Sequence, residues 1–419
     1  MTALAGGVDS PVRAGAAVGG EPFVQAAGAG AHAYDREGRR YIDYVMAYGP
    51  LLFGHAPVEL YDPSAIASRG VVFGSTCEDE IVLAERIKTH LPSIESLRFT
   101  TTGTEAVVGA IRVARAFTGR SAILRFAGNY HGHSDVALLG AGASAHTRDA
   151  ARSGIPVATS ADVAIARYND LADVDRVLAK DGVGERLAAI IVEPICANMG
   201  LVLPVAGFLE GLAARARERR ALLVFDEIIT WLRLGLGGAQ ERCGIRPDLT
   251  TLGKVMGGGF PLAAFGGRAD VMSVLAPDGP VFAGGTHAGN PFSVAVGLRV
   301  LEFLETRPQV YAAMRRRAQR LRAGIEGVLR RLGLDYAVLQ LESIVDFKFR
   351  PGGPTHSYDD LDRADPEAYA AYYHAMRARG VLLPPSQNEV MFLCTEHSDI
   401  DVDETVGAIE SSLQEVARF

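Results

Sequence analysis

Cysteine is scarce in this sequence and widely spaced. The 419 residues include four cysteines, Cys77, Cys196, Cys243 and Cys394, which form no CxxC pair and show no zinc-finger spacing. The sequence therefore indicates neither a disulfide framework nor a structural zinc site, and its cysteine usage fits a reducing compartment.

Long apolar runs and an excess of positive charge are also missing. No stretch reaches the roughly 18 apolar residues that a membrane helix needs, and residues 1–15 lack the apolar core of a signal peptide. The 42 basic and 49 acidic side chains give a net charge of −7, the wrong sign for a nucleic-acid or anionic-membrane binder. With 48% hydrophobic residues the chain can build a core. We expect a soluble, cytoplasmic, globular protein that acts on small molecules.

Strand and helix patterns alternate between about residue 80 and residue 300. Short apolar runs predict strands at 97–101, 122–126, 188–192, 222–225, 249–252 and 262–265, and helical periodicity predicts helices over 103–117 and 207–219. Such alternation favours an α/β fold in which helices cover both faces of a mainly parallel sheet. Ligands of such folds bind at the carboxyl ends of the strands.

The two ends of the chain have a different texture. A hairpin is predicted from 31–34 and 40–44, and the C-terminal pattern predicts helices over 310–332 and 366–379, strands at 344–350 and 390–394, and a final helix. We expect an N-terminal segment at 1–60, a large domain at 61–300 and an α+β C-terminal domain at 301–419.

Lysine is rare, and this narrows the search for a reactive amine. Three of the four lysines have ordinary explanations as surface, loop and outward-facing strand positions: Lys88, Lys180 and Lys348. Lys254 differs because it ends the apolar run 249–253 and is followed by three glycines at 257–259, which permit close approach to a ligand. Lys254 is therefore a candidate for a covalent imine, and the alternative is a charged turn residue.

An imine-forming lysine suggests pyridoxal phosphate, which also needs a phosphate cradle. Thr102 and Glu105 fit a capping box between a predicted strand and a predicted helix. The N–H groups at Gly103 and Thr104, together with the Thr104 hydroxyl, could bind a dianion at the helix start. An ordinary capped helix would give the same pattern.

The cofactor further needs an acid for its ring nitrogen and a face for its ring. Asp226 follows the buried run 222–225, where a carboxylate needs a partner such as a pyridinium, although a helix-capping aspartate is an alternative. Tyr130 lies in a glycine-flanked loop and is a candidate for ring stacking. The neighbouring His131 and His133 lack further ligands at metal-site spacing, so we predict no metal.

Taken in order along the chain, these motifs resemble the fold-type I, class III pyridoxal phosphate enzymes, and most closely the glutamate-1-semialdehyde 2,1-aminomutases. The matching segments are 6–14, 102–120, 128–135, 192–200, 225–230, 246–272, 285–291 and 384–389. The resemblance implies a large domain with a mainly parallel seven-stranded sheet between helices, and a smaller α+β domain built from both termini.

The resemblance also implies roles for the cofactor residues. Lys254 would form the internal aldimine and carry protons, and Asp226 would pair with the pyridine nitrogen. Phosphate would be held by Gly103 and Thr104, while Tyr130 and Ile228 would cover the two ring faces. Thr286 resembles the family threonine that reaches the phosphate of the neighbouring subunit, which implies a homodimer with shared active sites.

The substrate residues implied by the family pattern are Ser10 and Arg13 for a carboxylate, with Glu193 and Glu389 as pocket carboxylates. Glu389 is the one expected to meet the substrate amine, and residues 136–168 align with a mobile lid. The implied activity is an intramolecular amino shift on a small amino aldehyde, with pyridoxal and pyridoxamine phosphate alternating in the cycle.

Departures from the family pattern lie near the substrate. This chain reads Ala-Tyr-Gly-Pro at 47–50 and Thr-His-Ala at 286–288, where the aminomutases usually differ. These changes favour a class III aminotransferase that uses a separate amino donor and acceptor. A racemase or decarboxylase on the same scaffold, and a catalytically silent scaffold paralogue, are further alternatives.

Overall fold

The computed structural model describes residues 3–58, 60–140 and 153–416. The strands are β1 (Gln25–Ala29), β2 (His32–Asp35), β3 (Arg40–Asp43), β4 (Ser96–Thr100), β5 (Ala122–Phe126), β6 (Val163–Ala166), β7 (Leu187–Val192), β8 (Leu222–Asp226), β9 (Leu249–Leu252), β10 (Ala263–Gly267), β11 (Ala337–Leu341), β12 (Ile344–Lys348), β13 (Val381–Leu382) and β14 (Met391–Phe392). The α-helices are α1 (Pro63–Ala67), α2 (Glu78–His90), α3 (Gly103–Thr118), α4 (Asp135–Leu138), α5 (Val157–Ala161), α6 (Leu171–Leu178), α7 (Phe208–Glu218), α8 (Gly238–Cys243), α9 (Ala269–Met272), α10 (Pro291–Thr306), α11 (Gln309–Leu332), α12 (Pro366–Ala378) and α13 (Asp399–Val416).

A seven-stranded sheet with the order β4-β10-β9-β8-β7-β5-β6 forms the centre of the molecule. Only β10 runs antiparallel to its neighbours, and the other pairings are parallel. Every residue of β5, β7, β8 and β9 is buried, because helices cover both faces of the sheet. The predicted α/β fold with a mainly parallel sheet is confirmed. The edge strand β6 was not predicted and lies within the segment 136–168 that was assigned to a lid.

Helix α3 shows how the local sequence sets the architecture. The Thr102 side chain caps its start by accepting from the N–H of Glu105, and the Glu105 carboxylate accepts from the N–H of Thr102 at 2.9 Å. Its buried face includes Ala106 and Ala110 and packs on the sheet. Gly109 lets the helix lie directly on the Phe265 ring, which would be 2.4 Å from an added Cβ.

The two ends of the chain meet in a second sheet with the order β1-β2-β3-β13. Strand β13, from the C-terminal part, pairs in parallel with β3 through Val381 opposite Ile42 and Leu382 opposite Asp43. Strands β11, β12 and β14 form a separate antiparallel sheet. Backbone pairing thus links the termini, while the boundaries at residues 60 and 300 stay a prediction.

The prediction of an outward-facing Lys348 is wrong. Its side chain is 2% exposed and pairs with Asp346, whose carboxylate lies 2.9 Å from the Lys348 Nζ. Phe347, on the opposite face of β12, packs into the core formed with α11 and α12. Alternation alone could not show that loops cover the second face of this strand as well.

Helix α1 is short and is capped by Asp62, whose side chain accepts from the N–H groups of Ser64 and Ala65. Of the predicted lid segment 136–168, residues 141–152 lie outside the described residues. Among the residues that are described, no helix is both long enough and apolar enough to cross a bilayer. The expected cellular location stays a prediction.

Gly109→Ala should lower the free energy of unfolding by about 1–3 kcal/mol, because the added methyl group overlaps Phe265. Gly407→Ala in α13 is the matched control, since an added Cβ there meets nothing within 4 Å. This control should gain about 0.5–1 kcal/mol from helix propensity. Urea unfolding followed by circular dichroism measures both. Equal stability of the two variants would contradict the close packing of α3 on the sheet.

Candidate functional site

A cleft of about 670 Å³ lies at the carboxyl ends of the central strands. Its walls come from the segments that follow β4, β5, β7, β8 and β9, as expected for a parallel sheet. The lining residues are Thr102, Gly103, Thr104, Tyr130, Gly132, Glu193, Ile195, Asn198, Asp226, Ile228, Ile229 and Lys254. The structure therefore brings together seven of the predicted site residues that are far apart in the sequence.

Lys254 stands where β9 ends, with a left-handed backbone at φ 46°. Burial lowers the pKa of its amine, while the nearby carboxylates of Glu389, Glu193 and Asp226 act in the opposite direction. Within the described ranges the amine makes no hydrogen bond or ion pair shorter than 4 Å. A desolvated amine without a fixed partner is suited to nucleophilic attack on a carbonyl.

Asp226 lines the cleft and is held by His131. The Nδ1 atom of His131 lies 2.7 Å from the Asp226 Oδ2, and both side chains are almost fully buried. Burial lowers the pKa of His131, so the neutral ring donates to the carboxylate through Nδ1. The other ring nitrogen, Nε2, has no partner among the described residues. The sequence pointed to Tyr130 but did not reveal this positioning role of its neighbour.

The start of α3 offers the predicted cradle. The cap bonds of Thr102 and Glu105 engage the N–H groups of Thr101, Thr102 and Glu105. Those of Gly103 and Thr104 have no partner in the part of the chain that the structure describes. Gly132 packs on Thr104 so closely that an added Cβ would lie 2.5 Å from its hydroxyl. Free N–H groups at a helix start are suited to bind a phosphate group.

Ile228 fills the space between the cradle and the lysine. A Cβ added at Gly103 would lie 2.7 Å from the Cδ1 of Ile228, and a Cβ added at Gly253 would lie 3.5 Å from its Cγ2. Its side chain presents an apolar surface to the cleft, which Tyr130 also lines.

Glu193 lines the cleft but is already engaged by the protein. Its carboxylate accepts from the backbone N–H of Tyr130 at 2.7 Å, from that of Ala197 at 3.0 Å and from the Asn198 side chain at 2.9 Å. Burial raises its pKa to about 7. These bonds fix the Tyr130 loop and the loop that carries Asn198. Asn198 itself was not identified from the sequence.

Of the four residues expected at the substrate, Glu193 lines this cleft, whereas Arg13, Glu389 and Ser10 do not. Arg13 lines a second cavity of about 1010 Å³ together with Tyr48, His55 and Tyr373. Glu389 is buried, and burial raises its pKa to about 7, although the Lys254 amine favours its ionised form.

Two further predicted residues occupy other places. Ser10 caps the short 3-10 turn Pro11–Ala14 without a side-chain bond and lines neither cavity. Thr286 lies on an exposed depression with Phe73 and Asn290, away from the Lys254 cleft of its own chain.

The donor set of the cleft fits pyridoxal phosphate. It combines an amine without a fixed partner, a buried carboxylate across the cleft, and a helix start with free N–H groups. Lys254, Asp226, Gly103 and Thr104 would hold the group, with Ile228 and Tyr130 beside its ring. Among the described residues no three histidine, cysteine or carboxylate side chains form a cluster that could hold a metal ion.

The family model of the class-III aminotransferases matches residues 16–409. The chain belongs to this family. Class-III aminotransferases depend on pyridoxal phosphate, and the chain is accordingly a pyridoxal phosphate-dependent enzyme. The alternative of a catalytically silent scaffold is not supported, and the prediction of an enzyme is confirmed.

Individual relatives of this class-III aminotransferase cover nearly the whole chain. It is 46% identical over 415 residues to a glutamate-1-semialdehyde 2,1-aminomutase of Thermomicrobium roseum, covering 99% of this chain and 96% of that protein. Among solved structures it resembles an omega-transaminase from Sphaerobacter thermophilus, with a TM-score of 0.88, 32% identity, and coverage of 99% and 95% of the two chains. It also resembles a glutamate-1-semialdehyde-aminomutase from Pseudomonas aeruginosa in complex with PMP, with a TM-score of 0.84, 26% identity, and coverage of 95% and 89%.

Lys254→Ala should abolish the visible absorption of this aminotransferase at roughly 410–430 nm, which arises when the cofactor is bound to an amine. Borohydride should fix the cofactor to the wild type but not to the variant. Absorbance spectra and intact-mass analysis of both proteins measure this, with Lys180→Ala as a control at an exposed lysine. A variant that keeps the band would remove Lys254 from its predicted role.

Proposed function

We propose that this class-III aminotransferase catalyses the intramolecular amino shift of the glutamate-1-semialdehyde 2,1-aminomutases, converting glutamate 1-semialdehyde to 5-aminolevulinate. The observation that carries this proposal is the similarity to proteins of that name along almost the entire chain, at 42% to 46% identity. The solved omega-transaminase from Sphaerobacter thermophilus is less similar, with 32% sequence identity to this chain.

The proposed mechanism assigns a separate task to each residue. Pyridoxal phosphate, alternating with its pyridoxamine form, supplies an electron sink for the carbon that loses a proton. The Lys254 amine, which lines the cleft, would take that proton and return it at the neighbouring carbon. The Asp226 carboxylate, held by His131, would favour a proton on the nitrogen of a bound ring.

Arg13 and Glu389 would orient the substrate through its opposite charges. The phenol of Tyr48 lies within electrostatic range of both, so the second cavity and the region of Glu389 adjoin at this residue. Arg13 would bind a substrate carboxylate, a task suited to a guanidinium. Glu389 would receive the substrate amine, and Ser10 is proposed to assist Arg13.

We also propose a homodimer with shared active sites. Thr286 is exposed and separated from the Lys254 cleft of its own chain, while Val71, Val72 and Phe73 add exposed apolar surface close to it. Exposed apolar surface of this kind is suited to contact another subunit. In the proposed dimer, Thr286 reaches the phosphate bound by the partner.

A class-III aminotransferase with separate amino donor and acceptor is the second candidate. It is favoured by the turn at Met46, Ala47 and Tyr48, three successive non-glycine residues with positive φ values of 45°, 52° and 64°. Strained backbone of this kind is retained at ligand sites. The turn places Tyr48 in the wall of the second cavity, within the segment 47–50 where this chain departs from the usual aminomutase pattern.

The two candidates are separated by product analysis. The holoenzyme is incubated with glutamate 1-semialdehyde alone, and in parallel with a panel of amino donors and keto acceptors. The first candidate predicts 5-aminolevulinate from the semialdehyde without any second substrate. A strict need for an acceptor would overturn it and establish the second candidate.

The substrate affinity should depend on pH through Glu389. Because burial raises its pKa to about 7, the carboxylate is present above this pH and is lost as the pH falls. The KM for the amino substrate should therefore rise below pH 7. In Glu389→Gln the KM should be high, and this dependence should be absent.

Steady-state kinetics between pH 6 and pH 8.5 measure this effect. Glu185→Gln, at an exposed glutamate, is the control and should retain the wild-type profile. An unchanged acidic limb in Glu389→Gln would show that another group titrates there.

A further inference from the structure

A buried ion pair behind the cleft takes no part in the proposed chemistry. Asp346 and Lys348 lie two residues apart on β12 and so share one face of the strand. Their side chains are 1% and 2% exposed, and the Lys348 Nζ lies 2.9 Å from the Asp346 Oδ1. A buried ion pair is often no more stabilising than apolar groups of similar size, so its presence calls for another explanation.

The pair holds two loops at once. The first, called the Asn198 loop, spans residues 196–202, and its Leu201 N–H donates to the Asp346 Oδ2 at 3.1 Å. The second, called the Glu389 loop, spans residues 384–389, and its Gln387 carbonyl accepts from the Lys348 amine. The two loops also touch directly, since the N–H of Gly200 donates to the Asn388 carbonyl at 2.6 Å.

Both loops carry groups of the functional site. The Asn198 loop supplies Asn198 to the cleft wall and donates to Glu193 through the Ala197 N–H. It is closed on itself by the backbone bonds between Cys196 and Val202. The Glu389 loop ends in Glu389, which lies within electrostatic range of both Lys254 and Lys348.

We propose that the Asp346–Lys348 pair is a positioning device, which sets the spacing of the Asn198 loop and the Glu389 loop and so places the Glu389 carboxylate for the substrate amine. This inference rests on the proposed function of Glu389. Lys348 is thus a positioning residue that acts through the Gln387 carbonyl and through its charge. It has no contact with the Lys254 cleft itself.

Gly200 shows how tightly the device is built. An added Cβ would lie 2.4 Å from the Lys348 Cε, 2.6 Å from its Nζ and 2.8 Å from the Asp346 Oδ2. The Asn198 loop therefore rests directly on the ion pair, and nothing larger than glycine leaves the pair in place. Its backbone has a positive φ of 80°, which also favours glycine.

The charges around Glu389 support the same assignment. The groups within electrostatic range of its carboxylate are Lys254, Lys348, Tyr48, Tyr130 and Tyr369. The two lysines favour the ionised carboxylate, whereas burial opposes it. Loss of Lys348 leaves Lys254 as the one cation of this described set that stabilises the charge on Glu389.

Gly200→Ala tests the proposal with Gly207→Ala as a matched control. Gly207 has a similar φ of 84°, but an added Cβ there meets nothing within 4 Å, so both variants carry the same backbone strain. In the holoenzyme, Gly200→Ala should raise the KM for any amino substrate that the wild type accepts by about tenfold, with kcat within about threefold. Gly207→Ala should leave both constants unchanged.

A second variant removes the charges without leaving either one unpaired. Asp346→Leu combined with Lys348→Met replaces the pair by apolar groups of similar volume, a change that folded proteins tolerate. It should raise the KM as Gly200→Ala does. The pH midpoint of the cofactor absorbance, titrated without substrate, should fall, because a less ionised Glu389 stabilises a proton at Lys254 less well.

The outcomes are decisive in either direction. An equal KM for Gly200→Ala and Gly207→Ala, or a double variant with unchanged KM and absorbance midpoint, would overturn the proposal. Failure of both test variants to fold under conditions where Gly207→Ala is folded would assign the pair a structural role and also overturn it. The substrate-free titration separates this inference from the proposed aminomutase activity. If the double variant shifts the midpoint while the wild type is inactive on glutamate 1-semialdehyde, only the proposed aminomutase activity is refuted.

Discussion

The site depends on one constraint, the presence of a desolvated amine among carboxylates that it does not directly bind. Burial lowers the pKa of Lys254, and three carboxylates within electrostatic range partly oppose this lowering. A close ion pair would remove the amine from chemistry, whereas isolation would leave it costly to bury. Three donors engage Glu193, and His131 engages Asp226. These bonds keep the two carboxylates from forming an ion pair with the amine.

The parallel sheet is what brings these groups together. Strands β5, β7, β8 and β9 are parallel and end at the same edge of the central sheet, so Tyr130, Glu193, Asp226 and Lys254 converge although they are far apart in the sequence. The antiparallel β10 lies between β9 and the edge strand β4. It thereby joins to the sheet the strand that leads into the start of α3. The fold therefore determines the cofactor half of the site.

Much of this half could be predicted because its signals are local. Lys254 and Asp226 directly follow apolar runs, and the capping box at Thr102 is a pattern of four residues. The bond between His131 and Asp226 could not be predicted, since it joins residues 95 positions apart. The burial of Lys348 was also hidden, because alternation along β12 does not reveal a second covered face. Strand β6 was missed because the segment that contains it was assigned to a lid through the family resemblance.

The substrate half is less predictable for a physical reason. The region proposed to bind the substrate comprises the turn at 46–48, the N-terminal segment and the Glu389 loop, none of which has a regular period. Three positive φ values in succession can persist there only because the surroundings hold them, including the Asp43 carboxylate, which accepts from the N–H groups of Val45 and Met46. Small changes in such segments move side chains without disturbing the sheet. Substrate choice can therefore diverge within this family while the lysine, the aspartate and the helix start stay in place.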